Sequence, residues 1–333
     1  MLAMTLHVPA PVETQPLHPE EREDPTPGAG EVLIEVLACG VCHTDLHIVE
    51  GELPSHRLPV VPGHQVVGWV RSAGAGVARV SRGDLVGVPW LNRVCGRCPY
   101  CLSGRENLCE SPCFTGYDVD GGFAKLFCAH QEAVYDLPDG YQPLELAPLL
   151  CGGVIGYRAY QASGVPAGGV LGLFGFGSSA HLVLQMARLE GAEGAVFTRN
   201  PTHRQVARQL GAMFTGGSEE TPPRLLDGAI VFAPAGNLVK RALELCRPGA
   251  RVVHAGIYAT AIPEIPYSLL YGERSVQSVT NSTQSDVRSF LALARRHHFQ
   301  VEVESFPLQE ANRVLRMLKE SRIQASAVLV PPS

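Results

Sequence analysis

The chain has 333 residues, of which 45% are hydrophobic and 18% are charged. This length is about twice that of a typical domain and predicts two domains, and the composition excludes an intrinsically disordered chain. The formal net charge of −5 leaves no basic excess, so no nucleic-acid partner is expected. Residues 1–20 lack the basic start and apolar core of an export signal, which predicts a cytoplasmic protein.

Residues 30–150 are predicted to form a β-rich region, because short apolar stretches there alternate with Gly and Pro. The predicted strands include Glu31–Ala38, Gln65–Ser72, Leu85–Val88 and Phe123–Cys128.

Residues 165–256 alternate apolar strands with helices, which predicts a doubly wound parallel sheet. The predicted strands are Val170–Phe174, Gly194–Thr198, Ala229–Ala233 and Ala250–Ala255, and the helices are Ala180–Glu190, Thr202–Leu210 and Leu238–Cys246. The apolar stretch Gly168–Ala187 is long enough for a membrane span, but glycines interrupt it, so no membrane partner is expected. Further on, helices Asp286–His297 and Leu308–Glu320 and strands Val301–Ser305 and Ala325–Val330 are predicted.

Four cysteines lie close together in the sequence, at Cys95, Cys98, Cys101 and Cys109. Cysteines spaced three apart are too crowded for ordinary pairwise disulfides, whereas four thiolates on one small lobe suit tetrahedral zinc. An iron–sulfur cluster is the alternative, since four thiolates hold those as well.

A glycine-rich turn follows the predicted strand Val170–Phe174 and opens a helix, the context that a dinucleotide fingerprint requires. Gly172, Gly175 and Gly177 are the candidate glycines, which let the backbone approach a pyrophosphate at the helix N-terminus. The pattern is imperfect, because Phe174 stands where a count from Gly172 places the middle glycine. The alternative is a tight strand-to-helix turn without a ligand.

The second strand of this region ends without the carboxylate that holds the ribose hydroxyls of NAD. Thr198 and Arg199 stand there instead, with His203 and Arg204 just beyond. These residues suit a 2′-phosphate, which predicts NADP(H) over NAD(H). The alternative is that Arg199 is a surface residue that stacks on the adenine of either cofactor.

Two further segments, Gly40–His47 and Val61–Gln65, supply a thiolate at Cys42 and an imidazole at His64. Together with the cysteine lobe and the glycine-rich turn, they resemble the zinc-dependent alcohol dehydrogenases of the medium-chain dehydrogenase/reductase family. The resemblance covers roughly residues 25–330.

The resemblance implies an α/β protein with a β-rich GroES-like catalytic domain and a Rossmann cofactor domain with a doubly wound parallel sheet. We expect the catalytic domain to comprise residues 1–153 and 287–333, and the cofactor domain residues 154–286. Two Zn²⁺ per chain are implied. Cys42, His64 and Cys151 match the ligands of the catalytic zinc, whereas the four clustered cysteines match the structural zinc site.

The resemblance also implies roles for residues beside the catalytic zinc. Thr44 matches the hydroxyl that takes the alcohol proton, and His47 matches the histidine that passes it to solvent. Asp45 resembles the carboxylate that orients the histidine ligand, and His43 resembles a pyrophosphate-binding residue. The alternative for His47 is a surface histidine on a loop.

The resemblance suggests a substrate pocket that admits small to medium primary alcohols and their aldehydes. Trp90 matches a pocket-narrowing tryptophan, unless it packs elsewhere, and Tyr117 is expected to border the same pocket. Chains of this kind are often homo-oligomers, either dimers or tetramers.

Three departures from the family pattern stand out. Gln65 replaces the family glutamate, so a site with two thiolates and Zn²⁺ would be neutral. Phe174 replaces the middle glycine of the fingerprint. The segment Ile323–Ala327 lacks the family arginine that helps hold the cofactor.

The main interpretation is therefore a zinc-dependent alcohol dehydrogenase that uses NAD(P). One alternative is a zinc-free quinone or enone reductase of the same superfamily, against which all seven candidate ligands argue. The other is a non-catalytic module that keeps only structural zinc and senses a nucleotide.

Overall fold

The computed structural model describes residues 1–324 and 326–332. Ala325, where the predicted terminal strand begins, and Ser333, where the expected catalytic domain ends, lie outside the described residues. The chain divides into two compact units, one comprising Met1–Cys151 with Asn281–Ser333 and the other comprising Gly152–Thr280.

The strands are numbered in chain order. Residues 1–151 contain β1 (Leu2–Leu6), β2 (Leu17–Glu21), β3 (Glu31–Val41), β4 (Val66–Ala73), β5 (Leu85–Val88), β6 (Leu91–Arg93), β7 (Cys113–Phe114), β8 (Leu126–His130) and β9 (Tyr135–Asp136). Residues 152–280 contain β10 (Val170–Phe174), β11 (Glu193–Phe197), β12 (Phe214–Gly216), β13 (Leu226–Val231), β14 (Cys246–His254) and β15 (Ser275–Ser278). The last two are β16 (Val303–Pro307) and β17 (Ser326–Val330).

The helices are numbered in the same way. They are α1 (His43–Glu50), α2 (Pro99–Leu102), α3 (Pro143–Pro148), α4 (Val154–Ser163), α5 (Ser178–Leu189), α6 (Pro201–Gln209), α7 (Asn237–Leu245), α8 (Tyr267–Leu270), α9 (Gln284–Arg296) and α10 (Ala311–Lys319). A π-helical turn, Leu149–Gly153, joins α3 to α4. No helix among residues 1–324 and 326–332 has both the length and the apolar character needed to cross a bilayer.

The first unit is built on a seven-stranded sheet in the order β16-β17-β3-β4-β5-β9, with β8 also paired to β3. Only the β16–β17 pair is parallel among the pairs of this sheet that the structure describes. The first seven residues of β3 alternate between half-buried and buried positions, and its last four, Ala38–Val41, are all buried. This strand therefore carries the chain into the core of the unit directly before Cys42.

The second unit is a six-stranded sheet in the order β12-β11-β10-β13-β14-β15, and every pair in it is parallel. All five residues of the central strand β10 are buried, as expected where helices cover both faces of a parallel sheet. The strand order reverses between β10 and β13. Ligands of doubly wound sheets bind at the carboxyl ends of the strands at such a reversal, which is where the glycine-rich turn lies.

Candidate functional site

Three residues that lie far apart in the sequence meet in the first unit. Cys42 immediately precedes α1, His64 lies in the loop that leads into β4, and Cys151 lies in the π-helical turn after α3. Their ligand atoms all lie within 4.8 Å of one another. The fold therefore brings together two thiols and one imidazole.

The spacing of these atoms fits a tetrahedral zinc ion. Two sulfurs bound at about 2.3 Å to such an ion lie about 3.8 Å apart, and a sulfur and an imidazole nitrogen lie about 3.6 Å apart. The Cys42 and Cys151 sulfurs are 3.9 Å apart, and the Cys42 sulfur is 3.4 Å from His64 Nε2. Three protein ligands leave a fourth position of the tetrahedron for water or substrate, as in catalytic zinc sites.

Asp45 fixes two of the three candidate ligands. Its Oδ1 lies 3.0 Å from His64 Nδ1 and accepts a hydrogen bond from the Gly63 amide, and its Oδ2 accepts one from the Cys42 amide at 2.9 Å. The Asp45 side chain is fully buried. Because Nδ1 of His64 faces the carboxylate, Nε2 is the nitrogen left to face the sulfurs.

Without metal, the three candidate ligands share protons unequally. The thiol of Cys151 hydrogen-bonds the sulfur of Cys42, which lowers the pKa of Cys42 well below its usual value and raises that of Cys151 well above it. Burial lowers the pKa of His64, but the charges of Asp45 and Cys42 outweigh burial and raise it to about 10. Zinc requires two thiolates and a neutral imidazole, so its binding displaces protons from Cys151 and His64.

The predicted relay residues lie on α1, directly after Cys42. Thr44 and His47 are three residues apart on this helix and therefore share a face. His43 opens the helix and is exposed. The His47 ring bonds through Nδ1 to the carboxylate of Glu52. Sequence reasoning missed Glu52, although the glycine before it marks the helix end that places it beside His47.

The four clustered cysteines form a second group of donors. The sulfurs of Cys95, Cys98, Cys101 and Cys109 lie within 4.8 Å of one another, on the lobe between β6 and β7. Backbone amides lower the pKa of Cys98 to about 6, whereas burial and its neighbouring thiols raise that of Cys101 to about 12. Four sulfurs at this spacing complete a tetrahedron without an open position, which is the pattern of a structural site.

Aromatic rings line one side of the His64 imidazole. The Trp90 ring meets His64 edge to face at a centroid distance of 5.0 Å and stacks on Phe114 at 4.8 Å. Tyr117 lies 5.8 Å from Trp90, and its hydroxyl donates to the carbonyl of Pro54. Trp90 therefore contacts a candidate zinc ligand directly, and Tyr117 lies beside Trp90. Phe114, which stacks behind Trp90, was not singled out from the sequence.

In the second unit, Gly175 and Gly177 form the turn between β10 and α5. Gly175 has a φ of 92°, and a Cβ there would lie 3.1 Å from the Ala233 amide nitrogen, so glycine is required. Gly177 precedes the first residue of α5 and has open space where a side chain would be. Gly172 lies inside β10, where a Cβ would come within 2.5 Å of Leu226. The turn is thus made by Gly175 and Gly177, whereas Gly172 permits strand packing.

The end of β11 carries the predicted phosphate-binding residues. Thr198 is buried, and its amide donates to the Gly216 carbonyl. Arg204 donates from Nε to the Thr198 carbonyl and lies 3.8 Å from a Glu220 carboxylate oxygen. Arg199 is exposed, with no hydrogen bond or ion pair to any residue in the described part of the chain. Of the two arginines, Arg199 is therefore the one whose charge is available to a ligand.

Gln65, which follows the candidate ligand His64, is fully buried. Its Nε2 has no hydrogen-bond partner among residues 1–324 and 326–332. An amide adds no charge, so the two thiolates are the negative donors closest to a zinc ion at this site. Of the segment Ile323–Ala327, Ala325 lies outside the described residues.

Comparison with known proteins agrees with this arrangement. The family model "Alcohol dehydrogenase GroES-like domain" matches residues 28–139, and the model "Zinc-binding dehydrogenase" matches residues 180–296. The probable alcohol dehydrogenase AdhA of Mycobacterium tuberculosis is 45% identical over 99% of this chain and 97% of its own length.

Solved structures give the same result for the fold. A cinnamyl alcohol dehydrogenase of Sorghum bicolor superposes with a TM-score of 0.89 at 28% identity, covering 98% of this chain and 97% of that one. A zinc-binding dehydrogenase of Sinorhizobium meliloti bound to NADP has a TM-score of 0.88 at 27% identity, covering 99% of both chains. The predicted GroES-like and Rossmann architecture is confirmed, and the chain belongs to the zinc-dependent alcohol dehydrogenases of the medium-chain dehydrogenase/reductase family.

Proposed function

We propose that this protein interconverts small to medium primary alcohols and their aldehydes, with zinc and a nicotinamide cofactor. The observation that carries the proposal is the convergence of Cys42, His64 and Cys151 at distances that suit zinc, with a fourth tetrahedral position left for substrate. Its relatives support it, since AdhA and the sorghum protein are both named as alcohol dehydrogenases.

Each cofactor supplies one part of the chemistry. Zinc held by the three donors supplies a Lewis acid that favours loss of the substrate's hydroxyl proton near neutral pH. A nicotinamide supplies the hydride acceptor for alcohol oxidation and the hydride donor for aldehyde reduction.

The chain's own residues position the reactants and move the proton. Asp45 holds the His64 ring so that Nε2 faces the metal position. Thr44 and His47 share one face of α1 and take up the substrate proton. Trp90, in edge contact with His64, limits the size of the substrate.

Binding of the nicotinamide cofactor is assigned to the second unit. We propose that Gly175 and Gly177 admit the cofactor pyrophosphate to the N-terminus of α5. The four-cysteine lobe is proposed to hold a second, structural zinc, which gives two zinc ions per chain.

We propose a preference for NADP(H), carried by Arg199 with support from Thr198 and Arg204. Arg199 is exposed and unengaged, and the end of β11 has no carboxylate to bind ribose hydroxyls. The relative from Sinorhizobium meliloti is described as bound to NADP. An Arg199→Ala variant should lose roughly tenfold or more in kcat/KM for NADPH and little for NADH. Equal losses with both cofactors, or a wild-type preference for NADH, would contradict this assignment.

Steady-state oxidation of primary alcohols, in a series that runs from ethanol up to hexanol, by the zinc-loaded protein tests the proposed reaction. Wild type should turn these alcohols over, and Cys42→Ala should lose activity by orders of magnitude, because it removes one donor of the zinc site. Cys128→Ala, which removes a half-buried cysteine outside both donor groups, is the matched control. Nucleotide binding without turnover of any alcohol or aldehyde would instead favour a sensing module.

We also propose that the chain is a cytoplasmic homo-oligomer, either a dimer or a tetramer. None of the ten cysteines, all of which lie in the described part of the chain, forms a disulfide, as expected in a reducing compartment. The segment after β14 exposes large apolar side chains at Ile257, Ile262, Tyr267 and Tyr271, next to the edge strand β15. Exposed apolar clusters of this kind mark interaction surfaces. Light scattering should give a multiple of the chain mass, which Tyr267→Glu reduces; a wild-type monomer would refute the proposal.

A further inference from the structure

The His47 ring is held by a carboxylate that belongs to no other part of the site. Its Nδ1 bonds to a carboxylate oxygen of Glu52, five residues further along the chain. A carboxylate accepts but does not donate, so the proton of this bond belongs to the imidazole nitrogen. The neutral His47 ring therefore carries its proton on Nδ1 and keeps Nε2 as an acceptor.

The backbone makes this contact a fixed feature of the end of α1. Gly51 adopts a left-handed conformation with a φ of 78°, and its amide donates to the carbonyl of Ile48. The Glu52 amide then donates to the carbonyl of His47 itself, at 2.9 Å. This pair of bonds is a Schellman motif. The same two residues are thus joined through both backbone and side chains, which sets the Glu52 carboxylate beside the ring.

The side chains of His47 and Glu52 differ in their exposure to water. The His47 side chain is 9% exposed, whereas that of Glu52 is 38% exposed. The ring is therefore largely shielded from water, whereas the carboxylate is partly exposed to it. An imidazolium formed at His47 would have a negative charge in direct contact with it.

We propose that Glu52 is a positioning residue of the proton relay, acting through His47. The inference rests on the proposed function, which assigns the relay to His47. Glu52 fixes the tautomer in which Nε2 is the base, and its charge stabilises the imidazolium that forms when Nε2 accepts a proton. This role parallels that of the aspartate in a serine-protease triad, which orients the histidine and stabilises its imidazolium.

The proton balance follows the direction of turnover. In alcohol oxidation, the hydroxyl proton of the substrate would end on His47 Nε2, and a bound nicotinamide cofactor would supply the acceptor for the hydride. The imidazolium then loses one proton to water or buffer, which restores the neutral ring with Nδ1–H facing Glu52. Aldehyde reduction runs the same transfers in reverse.

The tautomer is testable without turnover. In zinc-loaded protein with ¹⁵N-labelled histidine, the wild-type His47 signals should show protonated Nδ1 and unprotonated Nε2. Glu52→Ala should shift these signals toward protonated Nε2. Glu20→Ala is the matched control, because it removes the carboxylate that bonds the exposed His7, at 2.6 Å, and should leave the His47 signals unchanged. Identical His47 signals in wild type and Glu52→Ala would overturn the proposal.

Steady-state kinetics at constant pH and ionic strength test whether Glu52 supports proton transfer through His47 during turnover. Glu52→Ala should lose roughly tenfold in kcat, and acetate should restore part of the loss where chloride does not, because acetate can occupy the vacated position. Glu52→Gln, which fills that position, should lose activity without acetate rescue. A Glu52→Ala variant that matches wild type, or a loss that acetate does not restore, refutes the relay assignment. A wild type that turns over no alcohol refutes the proposed function instead, and the NMR result then decides the tautomer alone.

Discussion

Asp45→Asn should weaken zinc binding at the three-donor site while leaving the four-cysteine site intact. Asp45 is fully buried and accepts hydrogen bonds from the His64 ring and from the amides of Gly63 and Cys42. Asparagine keeps the shape of the side chain but has only one acceptor oxygen. If that oxygen serves His64 and Gly63, the new NH₂ group faces the Cys42 amide, donor against donor.

Two costs follow from this geometry. A buried amide without a partner costs about 1–3 kcal/mol of folding free energy. Replacing the carboxylate behind a ligating histidine by a neutral group weakens metal affinity about 10- to 100-fold, which corresponds to about 1.4–2.7 kcal/mol. The loss of affinity is confined to the site that contains His64, because none of the four clustered cysteines contacts Asp45 in the described hydrogen bonds.

Chelator competition on the fully zinc-loaded protein measures this effect. Wild type and variant should each release two zinc ions, and only the affinity of the ion held by Cys42, His64 and Cys151 should fall in the variant. Asp118→Asn is the matched control, since Asp118 also bonds a histidine, His56, and a backbone amide, but away from both donor groups. A folded Asp45→Asn protein whose two zinc affinities lie within twofold of wild type would refute the reasoning.

Two further predictions concern stability and substrate size. His181 is buried, and burial lowers its pKa from 6.5 to about 4. As the pH falls, the unfolded chain therefore takes up a proton at this residue before the folded protein does. The stability that neutral His181 contributes is complete above pH 6.5 and is lost as the pH falls toward 4, with a loss of about 2 kcal/mol at pH 5. In urea unfolding between pH 7 and pH 5, the free energy of unfolding should fall more steeply with pH for wild type than for His181→Gln. Parallel plots of this free energy against pH would refute the assignment. Trp90→Ala opens the wall beside His64, so kcat/KM should rise for hexanol relative to ethanol by roughly tenfold, about the value of one to two buried methylene groups; an unchanged ratio would place Trp90 outside the pocket.

The doubly wound unit could be predicted from the sequence because its central strands are continuous apolar runs. The prediction for Val170–Phe174 matches β10 residue for residue, and the helices predicted after it differ from α5 and α6 by one or two residues at their ends. Strands β12 and β15 were not predicted. They are three and four residues long, and β15 is mostly exposed, so neither carries an apolar periodicity.

The candidate site also combines features that the sequence shows with features that only the fold reveals. Cys42, His64 and the clustered cysteines lie in short motifs that the sequence displays directly, whereas their approach to within 4.8 Å depends on the fold. The Glu52 contact depends on how the chain turns after α1, which becomes visible only once the left-handed Gly51 is placed. Gly172 was counted with the fingerprint because spacing alone does not separate a glycine that packs a strand from one that makes a turn.

Anomalous diffraction at the zinc edge, on crystals of the zinc-loaded protein, tests the central claim most directly. We predict two peaks per chain: one within about 2.3 Å of the Cys42 and Cys151 sulfurs and about 2.0–2.1 Å of His64 Nε2, and one among the four clustered cysteines. A single peak among the clustered cysteines, with Cys42, His64 and Cys151 directed away from one another, would contradict the proposed reaction.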